Sequence, residues 1–137
     1  MPTPFRTRRF VEFSDTDMAG IMHFANFFRF MEVAETDFLH SLGISVSWRA
    51  DGLKWGFPRV SVACDYQKPA LFEDVLTIAV TVEKVGAKSV GYRFVFSNQS
   101  GEAVAVGRIT TVFCRHSDAG RLESVEIPAE LRAKLGA

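Results

Sequence analysis

SDTDMAGIMHFANFFRFMEVAETDFLHSL, residues 14–42, changes character near its middle, where a polar, glycine-containing turn gives way to an apolar run. From Ala25 to Leu42 there is neither Pro nor Gly, and Phe24, Phe27, Phe28, Met31, Glu35, Phe38 and Leu42 recur at the spacing of one helical face. This predicts a helix from Ala25 to about Leu42, with Gly43 as its stop. At ~100° per residue the apolar side chains sweep an arc of roughly 220°, from Phe30 through Phe24 to Ala25, with Val33 on the far side. So apolar a helix needs cover on most sides, by a sheet on one face and by a second body, such as a partner subunit, on another.

On the N-terminal side, FRTRRFVEF at 5–13 places apolar side chains among Arg and Thr in an imperfect alternation, which predicts a first strand with one wet face. On the C-terminal side, ISVSWRADGLKWGFP at 44–58 holds two Trp, two Gly and one Pro, and predicts a loop or short helix closing over something apolar. Runs 59–68, 74–85, 89–98 and 102–116 are rich in Val, Ile, Thr, Phe and Tyr, and are separated by Pro69, Gly86 and the NQSG turn. Their connections are too short for helical crossovers, so they are expected as consecutive antiparallel strands in a curled meander. PAELRAKL at 128–135 reads as a short surface helix. The expected class is α+β, a curled antiparallel sheet around one long central helix, in a single domain over residues 1–137.

Sixteen Lys+Arg balance sixteen Asp+Glu, so no global positive field collects phosphates, which disfavours nucleic acid as a partner. No apolar stretch reaches the ~18 residues of a membrane span. MPTPFRTRRF has positive charge without a following apolar segment, which predicts no secretory signal and a cytoplasmic protein. Cys64 and Cys114 stand far apart in apolar runs and read as buried thiols of a reducing compartment, not as a disulfide framework.

Two carboxylates, Asp15 and Asp17, sit in the turn ahead of the helix. Asp, Ser and Thr before a helix commonly satisfy backbone N–H groups. The helical pattern begins several residues after Asp17, however, too late for an obvious cap. If the turn at Met18–Gly20 folds the chain back, Asp17 lies beside the helix N-terminus, whose free N–H groups favour developing negative charge. A carboxylate next to an oxyanion site suits acyl transfer: Asp17 attacks a carbonyl or activates water, and backbone N–H groups near Phe24 hold the tetrahedral oxyanion.

Glu35 falls inside the apolar stripe and needs a partner; it and Glu32 are either structural acids bonded to Arg or backbone N–H groups, or catalytic ones. His23 lies in the same turn, as a pocket or substrate contact or as a structural residue. His23, His40 and His116 lack metal-ligand spacing, so no metal is expected, and no cofactor. There is no G-x-S-x-G elbow and no glycine-rich phosphate loop, although Lys88 and Ser89 of GAKS stand where a phosphate contact is feasible.

FSDTDMAGIMHFANFFRFMEVAETDFL, then YQKPALFEDVLTIAV and EKVGAKSV, resembles the hot-dog-fold acyl-CoA thioesterases of the 4-hydroxybenzoyl-CoA thioesterase family over nearly the whole chain. The D-x-D-x-x-G loop before a long aromatic helix, Y-x-x-P-A and a D-x-L-x-I strand carry the resemblance, in the right order. It implies a homodimer or homotetramer with active sites at subunit interfaces and an acyl-CoA substrate. It also implies Asp17 as the catalytic carboxylate, the Phe24 N–H as oxyanion donor, and Lys88 and Ser89 as CoA contacts. His23, Phe27, Phe28, Trp48 and Trp55 are candidate substrate contacts, the aromatics as acyl-pocket walls. A second hot-dog branch uses a helix Glu, for which Glu32 or Glu35 is the match. A hot-dog hydratase or dehydratase, which needs a His and an acid, and a non-catalytic acyl-CoA-binding module are the alternatives.

Overall fold

A computed structural model describes residues 4–117 and 120–136; the ends of the expected 1–137 domain lie outside the described residues. The elements run β1 (Phe5–Phe10), a 3-10 turn (Phe13–Asp15), α1 (Asn26–Ser41), β2 (Ser47–Ala50), β3 (Leu53–Gly56), β4 (Arg59–Tyr66), β5 (Val75–Val85), β6 (Ser89–Ser97), β7 (Ala103–Val112), β8 (Cys114–His116), β9 (Leu122–Ser124) and α2 (Ala129–Lys134). A five-stranded antiparallel sheet in the order β1-β5-β6-β7-β4 carries α1 on one face, and a four-stranded sheet is ordered β2-β3-β8-β9.

Alternation puts Leu76, Ile78 and Val80 of β5 and Val90, Tyr92, Phe94 and Phe96 of β6 on the inner face, all buried. Against them α1 buries Phe27, Phe30, Met31, Ala34 and Leu39. The edge-on contact of Phe27 with Phe96, 5.3 Å between centroids, and the Arg9 guanidinium 4.5 Å over the Phe30 ring hold the helix at its first turns. Gly107 of β7 makes the close approach possible, because a Cβ there would stand 2.5 Å from the Met31 sulfur. Gly43, at φ +74°, ends the helix as expected, with the Gly43 and Ile44 N–H groups returning to the carbonyls of His40 and Leu39.

The strands depart from a consecutive meander. In the five-stranded sheet only β5, β6 and β7 are neighbours in sequence order; β4 pairs with β7 at one edge and β1 with β5 at the other. The connection 67–74 therefore crosses between the two sides of the sheet. Residues 44–58 are not a loop or short helix but the hairpin β2–β3, with Trp48 opposite Trp55. Its turn residues Asp51 and Gly52 both have positive φ (55° and 74°), the geometry a two-residue hairpin loop requires. Run 102–116 is split at Phe113, whose N–H donates to the Lys88 carbonyl while β8 joins the second sheet. Cys114 is buried as expected, whereas Cys64 on β4 is half-buried. No helix among the described residues is long and apolar enough to cross a membrane.

Candidate active site

Between β1 and α1 the chain makes two tight turns in succession. The first is the 3-10 turn, tied by Asp15, whose Oδ2 accepts the Glu12 N–H at 2.9 Å. Asp15 is thereby a structural acid. The second runs from Asp17 to Ile21: the Gly20 N–H donates to the Asp17 carbonyl at 3.0 Å and the Asp17 N–H to the Ile21 carbonyl at 2.9 Å. Gly20 takes φ +81°, which closes the turn without a Cβ penalty. The Met22 N–H then docks on the Ala70 carbonyl, and the Asn26 amide and the His23 N–H both donate to the Asp15 carbonyl. The folding back expected from Met18–Gly20 is present, and it brings Asp17 beside the start of α1.

One carboxylate oxygen of Asp17 serves its own turn, with Oδ1 accepting the Ala19 N–H at 2.9 Å. The other, Oδ2, has no hydrogen bond among the described residues and lies 3.6 Å from His23 Nδ1, on a side chain 33% exposed. Asp17 lines a cleft of about 380 Å³ together with Phe24, Phe27, Tyr66, Pro69 and Ala70. The first helical turn uses the N–H groups of Asn26, Phe27 and Phe28 on the carbonyls of His23, Phe24 and Ala25. The Phe24 N–H is left without a partner among the described residues. Asp17 and Phe24, the one with a carboxylate oxygen and the other with a backbone N–H that make no hydrogen bond among the described residues, thus line one largely apolar cleft.

The Thioesterase-like superfamily model matches residues 11–135. This chain belongs to the thioesterase-like superfamily. A protein of Aquifex aeolicus (strain VF5), named as an esterase without a stated substrate, is 32% identical over 129 residues, 93% of this chain and 94% of its own. The 4-hydroxybenzoyl-CoA thioesterase of Pseudomonas sp. (strain CBS-3) is 29% identical over 126 residues, 88% of this chain and 89% of its own. A solved structure of a 4-hydroxybenzoyl-CoA thioesterase D17N mutant, complexed with 4-hydroxybenzoyl-CoA, superposes with a TM-score of 0.84 at 23% identity, covering 98% of this chain and 100% of that one. The sheet wrapped on one long helix is accordingly the hot-dog fold.

Within one copy of this thioesterase-like chain, the residues expected at the site fall into separate groups. Asp17, Phe24 and Phe27 share the cleft, and His23 adjoins Asp17. Phe28 is half-buried on α1 and does not line the cleft. Trp48 and Trp55 line a different cavity of about 590 Å³, where both stack on Phe113 with centroids 5.9 and 5.7 Å away. Lys88 and Ser89 stand at the start of β6, whose Phe96 packs near the cleft; the seven residue rises from Ser89 to Phe96 span roughly 23 Å.

Glu35 is fully buried, and its Oε1 accepts two bonds from Arg59, at 2.9 Å from Nε and 2.7 Å from Nη2. Burial pushes its carboxyl above the ordinary range even against the Arg59 charge. Glu32 lies 3.6 Å from the same guanidinium. Glu35 thus has the Arg partner that its place in the apolar stripe required, and exposed Glu32 adjoins the same cation.

Tyr66 is the residue that sequence reasoning left out of the site. Its hydroxyl donates to the Phe24 carbonyl at 2.9 Å, and its ring meets Phe27 edge-on at 5.1 Å. Although Tyr66 is 46% exposed, partial desolvation, with a smaller contribution from Cys64, pushes its phenol up to about 12, so it remains a donor at neutral pH. The signal available was Y-x-x-P-A itself, since Tyr66, Pro69 and Ala70 all reach the cleft.

Proposed function

We propose that this protein is an acyl-CoA thioesterase that hydrolyses the thioester to a free carboxylic acid and CoA. One observation carries the reading: Asp17 and Phe24 line one largely apolar cleft, and neither Asp17 Oδ2 nor the Phe24 N–H makes a hydrogen bond among the described residues. A thioester carbonyl set between them meets a nucleophile or base on one side and an oxyanion donor on the other. Asp17 either attacks the carbonyl carbon, giving an anhydride that water then opens, or takes a proton from the attacking water. In both routes the Phe24 N–H stabilises the tetrahedral oxyanion, and the C–S bond breaks with CoA leaving as thiolate. The 4-hydroxybenzoyl-CoA thioesterase among the relatives supports a CoA thioester as substrate.

The edge of β4 supports a dimer. Among the described residues this strand pairs with β7 alone, and it exposes Val60 (62%) and Val62 (51%). Antiparallel pairing of β4 with a second copy would set the start of one β4 beside the end of the other. Lys88 and Ser89 of the second copy would then stand at the cleft end of the joined sheet, where CoA phosphates can reach them.

Thiol release across aliphatic and aromatic acyl-CoAs tests the proposal, with free CoA and acid as the expected products. A hot-dog hydratase or dehydratase needs a His and an acid, and the 3.6 Å approach of His23 to Asp17 keeps it as the second reading. An enoyl-CoA product in the same assay would favour that reading, and binding without turnover would leave an acyl-CoA-binding module.

A further inference from the structure

The geometry points to Tyr66 as a positioning residue that clamps the Phe24 backbone and so fixes the direction of the Phe24 N–H in the cleft. This rests on the thioesterase reading and extends it to a side chain 42 positions further along, on a different element. The peptide that carries the N–H joins His23 to Phe24. On its His23 side the backbone is held tightly: the His23 N–H donates to the Asp15 carbonyl at 2.9 Å, and the His23 carbonyl accepts the Asn26 N–H at 2.9 Å. On the Phe24 side the helix supplies only a long bond, from the Phe27 N–H at 3.3 Å. Packing adds little there, because the Phe24 side chain is 60% exposed. The short bond at Phe24 is the one from the Tyr66 hydroxyl, at 2.9 Å.

Tyr66 is a suitable anchor because it is itself held. It lies opposite Ala105 in the β4–β7 register, and its ring packs on the buried Phe27. Its hydroxyl therefore ties the exposed first turn of the helix to the sheet. The Phe24 N–H shares its planar peptide unit with the His23 carbonyl, and the Tyr66 bond holds the next unit, so the two bonds together restrict rotation about the Phe24 φ and ψ and keep the N–H from swinging. An oxyanion donor acts only when aimed at the developing charge, so a residue that holds the aim affects the transition state more than substrate binding.

Tyr66→Phe keeps the ring against Phe27 and removes the hydroxyl alone. For thiol release from benzoyl-CoA, kcat is expected to fall about tenfold with KM changed less than about twofold and the melting temperature unmoved. A second readout is the infrared carbonyl stretch of isotope-labelled benzoyl-CoA bound to Asp17→Asn, in which turnover is blocked. The stretch should lie below that of free benzoyl-CoA, and adding Tyr66→Phe should move it back up. An unchanged kcat with an unmoved band overturns the role, as does a rise in KM alone, which would make the hydroxyl a ground-state contact. If wild type releases no thiol, or Asp17→Asn turns over normally, the thioesterase reading fails and the Tyr66 role with it. If Asp17→Asn is inactive while Tyr66→Phe matches wild type, only the Tyr66 role fails.

Discussion

Strand β4 grips the central helix at two places, and the two grips are of opposite kinds. At its start, Arg59 reaches Glu35, an acid with no exposed surface, and binds one of its oxygens twice. At its end, Tyr66 binds a backbone carbonyl in a turn whose own aromatic side chain, Phe24, faces outward. Two carboxylates, Glu35 and Asp17, mark these regions. Glu35 is locked to a cation and sealed from any substrate, whereas Asp17 spends one oxygen on its turn and keeps the other over a cleft. Carboxylates of similar chemistry receive different tasks from their surroundings: one completes the core, the other stays available for a reaction.

Breaking the buried grip should have the largest effect on stability. Arg59→Ala leaves the Glu35 carboxylate buried without its cation, and is expected to cost about 3 kcal/mol in chemical denaturation. A loss below about 0.5 kcal/mol would mean that the pair contributes no more than a surface ion pair does. Between the two grips, Gly107→Ala drives a Cβ into Met31, which is fully buried and has little room to retreat. A loss of about 1–3 kcal/mol is expected from that overpacking, measured by thermal unfolding. An unchanged melting temperature would show that the helix does not rest on β7 there.

The pH dependence sharpens the contrast. Burial holds the Glu35 carboxyl above its ordinary value of 4.5, so the folded state binds this proton more tightly than the unfolded state does. Stability from this group is full below about pH 4.5 and declines as pH rises from there through the raised folded value. Glu35→Gln lacks the titration. The stability of wild type relative to that variant should therefore fall with rising pH across the window, and a rise would contradict the burial argument. Smallest of all should be Lys88→Ala. Removing one exposed cation is expected to raise KM for acyl-CoA by about threefold with kcat unchanged, an effect that shrinks at high salt. A fall in kcat alone would place Lys88 outside CoA binding.

The helix was readable because its period, its lack of Pro and Gly, and the stop at Gly43 all agree, and the long strands because β-branched and aromatic residues alternate. Strand order was not readable. Which edge β4 joins depends on contacts with β7, some 45 residues away, and the short connections hid a crossing over the sheet. The β2–β3 hairpin did carry a local sign, Asp51–Gly52, but two Trp, a second Gly and a Pro nearby masked the alternation. At the site, Asp17 and Phe24 stood out because their turn precedes a helix. Trp48 and Trp55 looked equally suited to an acyl pocket by composition, yet their hairpin turns them toward Phe113. For Tyr66 the Y-x-x-P-A motif marked the cleft but not the role, since its bond to Phe24 exists only once sheet and helix are assembled.

The contrast between the two acids is tested most directly by thiol release from Asp17→Asn and Glu35→Gln measured side by side with their melting temperatures. Asp17→Asn should lose at least ~100-fold in kcat while melting like wild type, and Glu35→Gln should keep its turnover while its stability changes. Near-full turnover in Asp17→Asn, or a collapse of turnover confined to a well-folded Glu35→Gln, would contradict the assignment of the chemistry to the cleft.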